Sequence, residues 1–269
     1  MAAVSAAYFT DPYSPWCWAV EPHLRRLQVE FEGQVELTIV VVGLAARFGD
    51  TRARAVECVA ASVASGMPVD PRIFLEDVPT SSHPAGLALA AVSEQTDPAP
   101  YMRRLREAIM LERRRMDNGP ALLELAREVG GLDLDRLRFD FGSNAIVERF
   151  GAQLERARAV PETSREPGAE RVRIPSIEFR DAAGEVHGVY GYQEWEAWRS
   201  AAIAAGAVPA PARPGVEEAL RRFGPMTTAE VAAACELAGP RAPAALWQLA
   251  LEWRATPRRV PGGELWQAS

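Results

Sequence analysis

The stretch Tyr8–Pro22, YFTDPYSPWCWAVEP, constrains the fold more tightly than any other part of the chain. An apolar run enters Asp11-Pro12, and Ser14-Pro15 then starts a helix at once. A serine hydroxyl can accept from the free N–H groups of a first helical turn, and a proline at the first helical position gives up no intrahelical bond. The pattern predicts Ser14 at an N-cap with Cys17 one turn inside. There, backbone N–H groups and the helix dipole favour a negative charge such as a thiolate.

The flanks predict a βαβ unit. Ala3–Thr10 reads as a short buried strand, and Trp16–Phe31 as a helix with Val20, Leu24, Leu27 and Phe31 on one face. Gly33 stops it, and Val35–Val42 is a β-branched strand. Two strands joined by a helix imply parallel pairing with a right-handed crossover. From Asp50 to Pro161 the spacing turns helical, over Ala53–Ala64, Pro84–Glu94, Pro100–Met116, Pro120–Val129 and Asn144–Arg158. The run Arg113-Arg114-Arg115 reads as a solvated helix face rather than an anion site. Strand signals return at Arg171–Phe179, despite Pro175, which cannot donate to a ladder. Asp181–Glu185 is a hairpin turn into Val186–Tyr190, and Tyr192–Ala205 is a closing helix.

The expected fold is α/β: residues 1–49 and 162–206 form a small mixed sheet with helices on its faces, interrupted by a helical insertion at 50–161. Residues 207–215 (VPAPARPG lies across them) are a stiff Pro/Ala linker. Residues 216–269 read as three helices and a hairpin, a winged-helix-like module, with a capping box at Thr227 and Glu230. That segment has six acidic and six basic residues, and the whole chain carries a formal charge of −6. Both argue against a nucleic-acid or anionic-membrane partner, which would need basic excess. No apolar run approaches the ~18 residues of a membrane span. The first residues lack the basic start of a signal peptide, and three scattered cysteines, Cys17, Cys58 and Cys235, fit a reducing cytoplasm.

DPYSPWCW after a strand, an all-helical insertion, and Ile174-Pro175 before a hairpin together resemble the DsbA-like branch of the thioredoxin superfamily. The likeness extends to GMPVDPRIFLEDVPTSSHPAG (Gly66–Gly86) and GVYGYQEWEAW (Gly188–Trp198), as in cytoplasmic DsbA-family proteins described as dithiol–disulfide isomerases. That group includes an adapter of the ClpXP protease. The resemblance covers residues 4–205. It implies a thioredoxin-like fold of DsbA type, a cis Ile174-Pro175 bond facing the motif, and substrate contacts from Pro15, Trp16, Ile174 and Pro175. Ile174 would hold an extended substrate by strand-like pairing.

The motif departs from the redox pattern at its first position, where Ser14 replaces the attacking cysteine. No intramotif disulfide can form, and a serine hydroxyl without a neighbouring base is too weak an acid to attack one. Three functions follow from the resemblance. The first is a thiol–disulfide oxidoreductase-like protein with catalytic Ser14 and Cys17, acting through a mixed disulfide with glutathione or another small thiol. The second is a glutathione-dependent transferase or isomerase, since SPWCW is similar to the kappa-class glutathione transferases and 2-hydroxychromene-2-carboxylate isomerases, where the serine would hold the glutathione thiolate. The third is a non-catalytic adapter that keeps the cis-proline groove for a protein partner.

Plainer readings stand beside these. Ser14 can be a simple cap, worth ~1 kcal/mol. Cys17 can be a small buried hydrophobe, as Cys58 and Cys235 are expected to be. His83, at a helix start in the insertion, is a candidate site residue if the insertion overhangs the motif. His23 lies off the Cys17 face and reads as a surface or partly buried residue. The cysteines and histidines show no metal-ligand spacing, and no cofactor is expected beyond glutathione as a substrate.

Overall fold

The structure is a computed structural model that describes residues 4–269; Ala3, the expected first strand residue, lies outside them with Met1 and Ala2. The chain runs β1 (Val4–Thr10), α1 (Pro15–Ala19), α2 (Glu21–Glu30), β2 (Val35–Val41), then the insertion α3 (Thr51–Ser65), α4 (His83–Val92), α5 (Ala99–Met110), α6 (Gly119–Val129), α7 (Leu134–Asp140) and α8 (Asn144–Arg158). It returns through β3 (Ser176–Arg180), β4 (Val186–Tyr190) and α9 (Trp195–Ala204). The C-terminal module is α10 (Val216–Phe223), β5 (Met226–Thr227), α11 (Thr228–Ala234), α12 (Arg241–Leu251), β6 (Ala255–Val260) and β7 (Gly263–Ala268).

The main sheet has the order β2-β1-β3-β4, with β1 parallel to β2 and antiparallel to β3. Alternation along β1 divides the core. Val4, Ala6 and Tyr8 pack with Leu24, Leu27 and Phe31 of α2 and Trp198 of α9. Phe9, with Val40 and Val42, faces Ala157 of α8. The insertion has its own large core, which Tyr13 and Trp18 of the motif enter.

Five elements differ from the sequence expectation. The helix expected over Trp16–Phe31 breaks at Val20, because Pro22 has no N–H to offer and its ring clashes with the carbonyl one turn back. The helix expected to reach Met116 ends at Met110. Arg113 takes a left-handed conformation, φ 54°, so the arginine run sits in a turn rather than on a helix face. Each of its arginines meets a carboxylate: Arg113 with Glu76, Arg114 with Glu128 at 2.6 Å, Arg115 with Asp117 at 3.0 Å. The strand expected from Arg171 begins only at Ser176: the Val172 and Arg173 N–H groups donate instead to Ala157 and Ser164 carbonyls, and Pro175 has none. α7, too short for a clear periodicity, and the two-residue β5 were not foreseen.

The C-terminal module is not a free appendage. Its three strands pair antiparallel in the order β5-β7-β6, and Val29 of α2 is part of its core. The linker is pinned to α2, where the Ala210 N–H donates to the Glu30 carbonyl at 2.7 Å and Arg213 pairs with the buried Glu30 carboxylate at 2.9 Å. Gly262, φ 86°, forms the β6–β7 tip and sits against Pro68; a Cβ there would lie 3.6 Å from Pro68 Cα.

Candidate functional site

The motif loop leaves the C-terminal end of β1 and is fixed before it reaches Ser14. Buried Asp11 accepts from the Tyr13 N–H at 3.0 Å and the Leu44 N–H at 2.7 Å. Burial raises its pKa, against these bonds. The Tyr13 hydroxyl accepts from the Met116 N–H at 2.8 Å, tying the loop to the insertion. Ser14, with extended backbone, then caps α1: its Oγ accepts from the Cys17 N–H at 3.2 Å. Used as an acceptor, that hydroxyl retains a proton to donate elsewhere.

Cys17 is fully buried, at 0% exposure, and Ser14 is at 4%. Burial pushes the Cys17 thiol up; the Arg106 cation and the Ser14 hydroxyl oppose that shift without overcoming it. All three cysteines are free thiols. Cys58 and Cys235 are also buried, pushed up to about 12 and about 11 by burial. An uncharged thiol out of reach of solvent is a poor nucleophile.

The Ile174-Pro175 bond is cis. Because Phe9 pairs with Ser176 in the antiparallel β1–β3 ladder, the two residues before Ser176 lie alongside Thr10 and Asp11, where the motif loop departs. Pro175 is buried, and Ile174 is half-buried. On the other side of the motif Pro15 is buried, whereas Trp16 keeps part of its ring exposed, with its centroid 5.0 Å from that of half-exposed Tyr192. The motif thus has an aromatic pair on one side and the half-buried Ile174 side chain on the other.

His83 stands apart from this group. It packs edge-on to Phe150, with ring centroids 5.4 Å apart, and no hydrogen bond among the described residues links it to Ser14 or Cys17. Its neighbour Ser82 donates toward the Ala45 carbonyl, in the segment that follows β2. His23 is a correction: it is buried, 9% exposed, within 6.4 Å of the rings of Tyr192, Trp195 and Trp198. Burial, and then the charge of Arg26, lower its pKa to about 4.

Sequence reasoning missed the charged layer beneath the motif. Arg106 of α5, 1% exposed, donates to Glu21 and Thr10 and lies 3.4 Å from the Tyr8 hydroxyl, which itself reaches the Cys17 carbonyl at 3.4 Å. One turn away, Arg103 binds Glu21 at 3.1 Å, Glu107 at 2.7 Å and Glu230 of the C-terminal module at 2.6 Å, while stacking over Trp18 at 4.8 Å. Burial alone would raise Glu21, but Arg106, Arg103 and Arg25 hold it at about 2. One signal was available. Arg106 follows Met102 by four residues and precedes Ile109 by three, so it lies inside the apolar stripe of its helix.

The family described as thioredoxin matches residues 8–163. The ClpXP adapter protein SpxH of Halalkalibacterium halodurans is 30% identical over 159 residues, covering 55% of this chain and 52% of the relative. The chain therefore spans about half the length of that relative. A putative protein disulfide isomerase from Nitrosomonas europaea superposes with a TM-score of 0.64 at 17% identity, covering 75% of this chain and 97% of the other. The cytosolic disulfide reductase DsbM from Pseudomonas aeruginosa superposes with a TM-score of 0.57 at 20% identity, covering 74% and 98%. These two likenesses establish the fold.

Proposed function

The chain belongs to the thioredoxin family and shares its fold with disulfide isomerase and reductase structures, and from that premise we propose that it is a non-catalytic adapter of DsbA type. It binds an extended segment of a client protein across Trp16, Tyr192 and the Ile174-Pro175 corner and presents that client to a ClpXP-type protease. Ser14 and Pro15 hold the shape of the corner, and the reducing cytoplasm is its place of work. The carrying observation is the complete burial of Cys17, with no second cysteine in the motif and a thiol pushed away from ionisation. A DsbA-type fold that keeps the substrate-facing proline but lacks an accessible sulfur is suited to binding without turnover. The similarity to SpxH, an adapter of ClpXP, supports the same reading.

A second reading rests on the free proton of the Ser14 hydroxyl and the Arg106 cation near Cys17. Both would favour a thiolate, either of Cys17 or of a small thiol such as glutathione bound at Ser14. Photo-crosslinking from position 16 separates the two. The adapter predicts a crosslinked client whose degradation by purified ClpXP is accelerated by this protein, unchanged in Cys17→Ser and lost in Ile174→Arg. Loss of that acceleration in Cys17→Ser, or thermal stabilisation by millimolar glutathione abolished in Ser14→Ala, supports the thiol reading instead.

A further inference from the structure

The outer edge of the main sheet is open. β2 pairs on one side only, with β1. The Val4 N–H donates to Gln34 O and the Val42 N–H to Thr10 O. Even-numbered residues of β2 therefore turn their backbone groups toward β1, and Val35, Leu37, Ile39 and Val41 turn theirs outward. The Val41 N–H is satisfied by the Gln153 side-chain carbonyl at 2.8 Å, which occupies the place of a neighbouring strand. The outward N–H and C=O groups of Val35, Leu37 and Ile39 have no protein partner among the described residues.

Hollows surround this edge. A groove of about 430 Å³ runs beside Leu37–Val41, walled by Leu89, Pro98, Arg149 and Arg156. A second, of about 240 Å³, shares Leu37 and continues along Val35 to Phe31, Arg222 and Phe223 of the C-terminal module. A third, of about 300 Å³, lies on the opposite face of the sheet beside Thr38 and Val40. The wall arginines are each engaged by a carboxylate: Arg149 by Glu94, Arg156 by Glu178 and Arg222 by Glu32. The walls are thus charge-balanced, and the interior is carried by Leu37, Ile39, Leu89 and Pro98.

We propose that this edge is a docking site for a single extended segment of a partner protein, which adds as a fifth strand beside β2. Leu37 and Ile39 supply its backbone bonds, and its alternate side chains drop into hollows on the two faces of the sheet. The occupant is a single chain rather than the sheet edge of another copy, because α8 on one flank and α10 on the other make the edge a trough. It is apolar at alternate positions and free of proline where it pairs. The site is separate from the Ser14 corner, and does not depend on the function proposed for that corner.

The test pans a phage-displayed library of random nonapeptides on the full chain, then measures one enriched synthetic peptide by hydrogen exchange and titration. Recovered peptides should show β-branched or aromatic residues at every second position, and the peptide should slow exchange at the Leu37 and Ile39 amides. Affinity should fall at least tenfold in Leu37→Pro, which removes an outward N–H without breaking the β1 ladder, and in Leu37→Lys should that variant fail to fold. Enriched peptides without alternation, protection elsewhere, or unchanged affinity in both variants would overturn the proposal. So would concentration-dependent dimerisation that protects the same two amides, which would assign the edge to a second copy.

Discussion

Two helices in this chain begin with the same local chemistry and end with different roles. At α1 the Ser14 hydroxyl accepts from the Cys17 N–H at 3.2 Å; at α11 the Thr227 hydroxyl accepts from the Glu230 N–H at 3.2 Å. Cys17 and Glu230 occupy equivalent positions, both are fully buried, and both lie near α5. Glu230 closes a capping box by accepting from the Thr227 N–H at 2.8 Å and is bound by Arg103 and Arg25. Cys17 has only Arg106 nearby, and the two terminal nitrogens of that guanidinium donate to Glu21, Thr10 and Tyr8, while its buried Nε has no partner among the described residues. A capped helix start therefore does not make an anion by itself. Committed counter-charge makes Glu230 an anchor, and its absence leaves Cys17 a neutral thiol.

The widest gap between the two sites should appear on deletion of charge. Arg103→Met removes the cation shared by the buried carboxylates of Glu21, Glu107 and Glu230, leaving Glu230 only Arg25 at 3.2 Å and Glu107 only Arg104 at 4.0 Å. It should cost about 3–5 kcal/mol in urea unfolding, because a broken buried ion pair leaves charge under-compensated. The linker 207–215 should then become sensitive to protease. Cys17→Ala should cost about 1 kcal/mol, as one small buried side chain is lost. Equal costs would erase the distinction.

Acid should separate the two regions next. His23 lies beneath the Trp16–Tyr192 side, with its pKa lowered from 6.5 to about 4. The unfolded chain takes up this proton first, so stability is complete above pH 6.5 and falls as pH drops toward 4, by roughly 3 kcal/mol. His23→Gln should flatten that limb in urea midpoints measured across this range. Glu21, held at about 2 against an ordinary 4.5, contributes fully above 4.5, and its contribution is lost as pH falls through 2. Glu21→Gln should flatten only that lower limb. A single acid transition unaffected by either variant would contradict the separation. The smallest effect is that of the caps: Ser14→Ala should cost ~1 kcal/mol, with Thr227→Ala at least as costly because a reciprocal bond goes with it.

Much of this was legible in the sequence. Ser14-Pro15 marked the α1 cap, the β-branched run marked β2, and Thr227 with Glu230 marked the start of α11, since each is a contact between neighbours in the chain. The Glu230–Arg103 pair joins residues 127 apart, and Arg106–Glu21 residues 85 apart. No local pattern could specify them, although Arg106 in an apolar stripe called for a buried partner. His23 was misplaced for the same reason. Helical geometry put it off the Cys17 face, but α9 and Tyr192 of the distant C-terminal half cover the face it occupies. The break at Val20 was readable at Pro22 and was overridden by the apolar spacing of Val20, Leu24, Leu27 and Phe31.

Cys17 is a sealed thiol, buried and pushed away from ionisation. The most direct test of this is the rate at which iodoacetamide alkylates Cys17 in the native protein at neutral pH, followed by peptide mass mapping, against the urea-unfolded chain. Native alkylation should be at least a hundredfold slower. Native alkylation of Cys17 as fast as in the unfolded chain would contradict this and return the site to thiol chemistry.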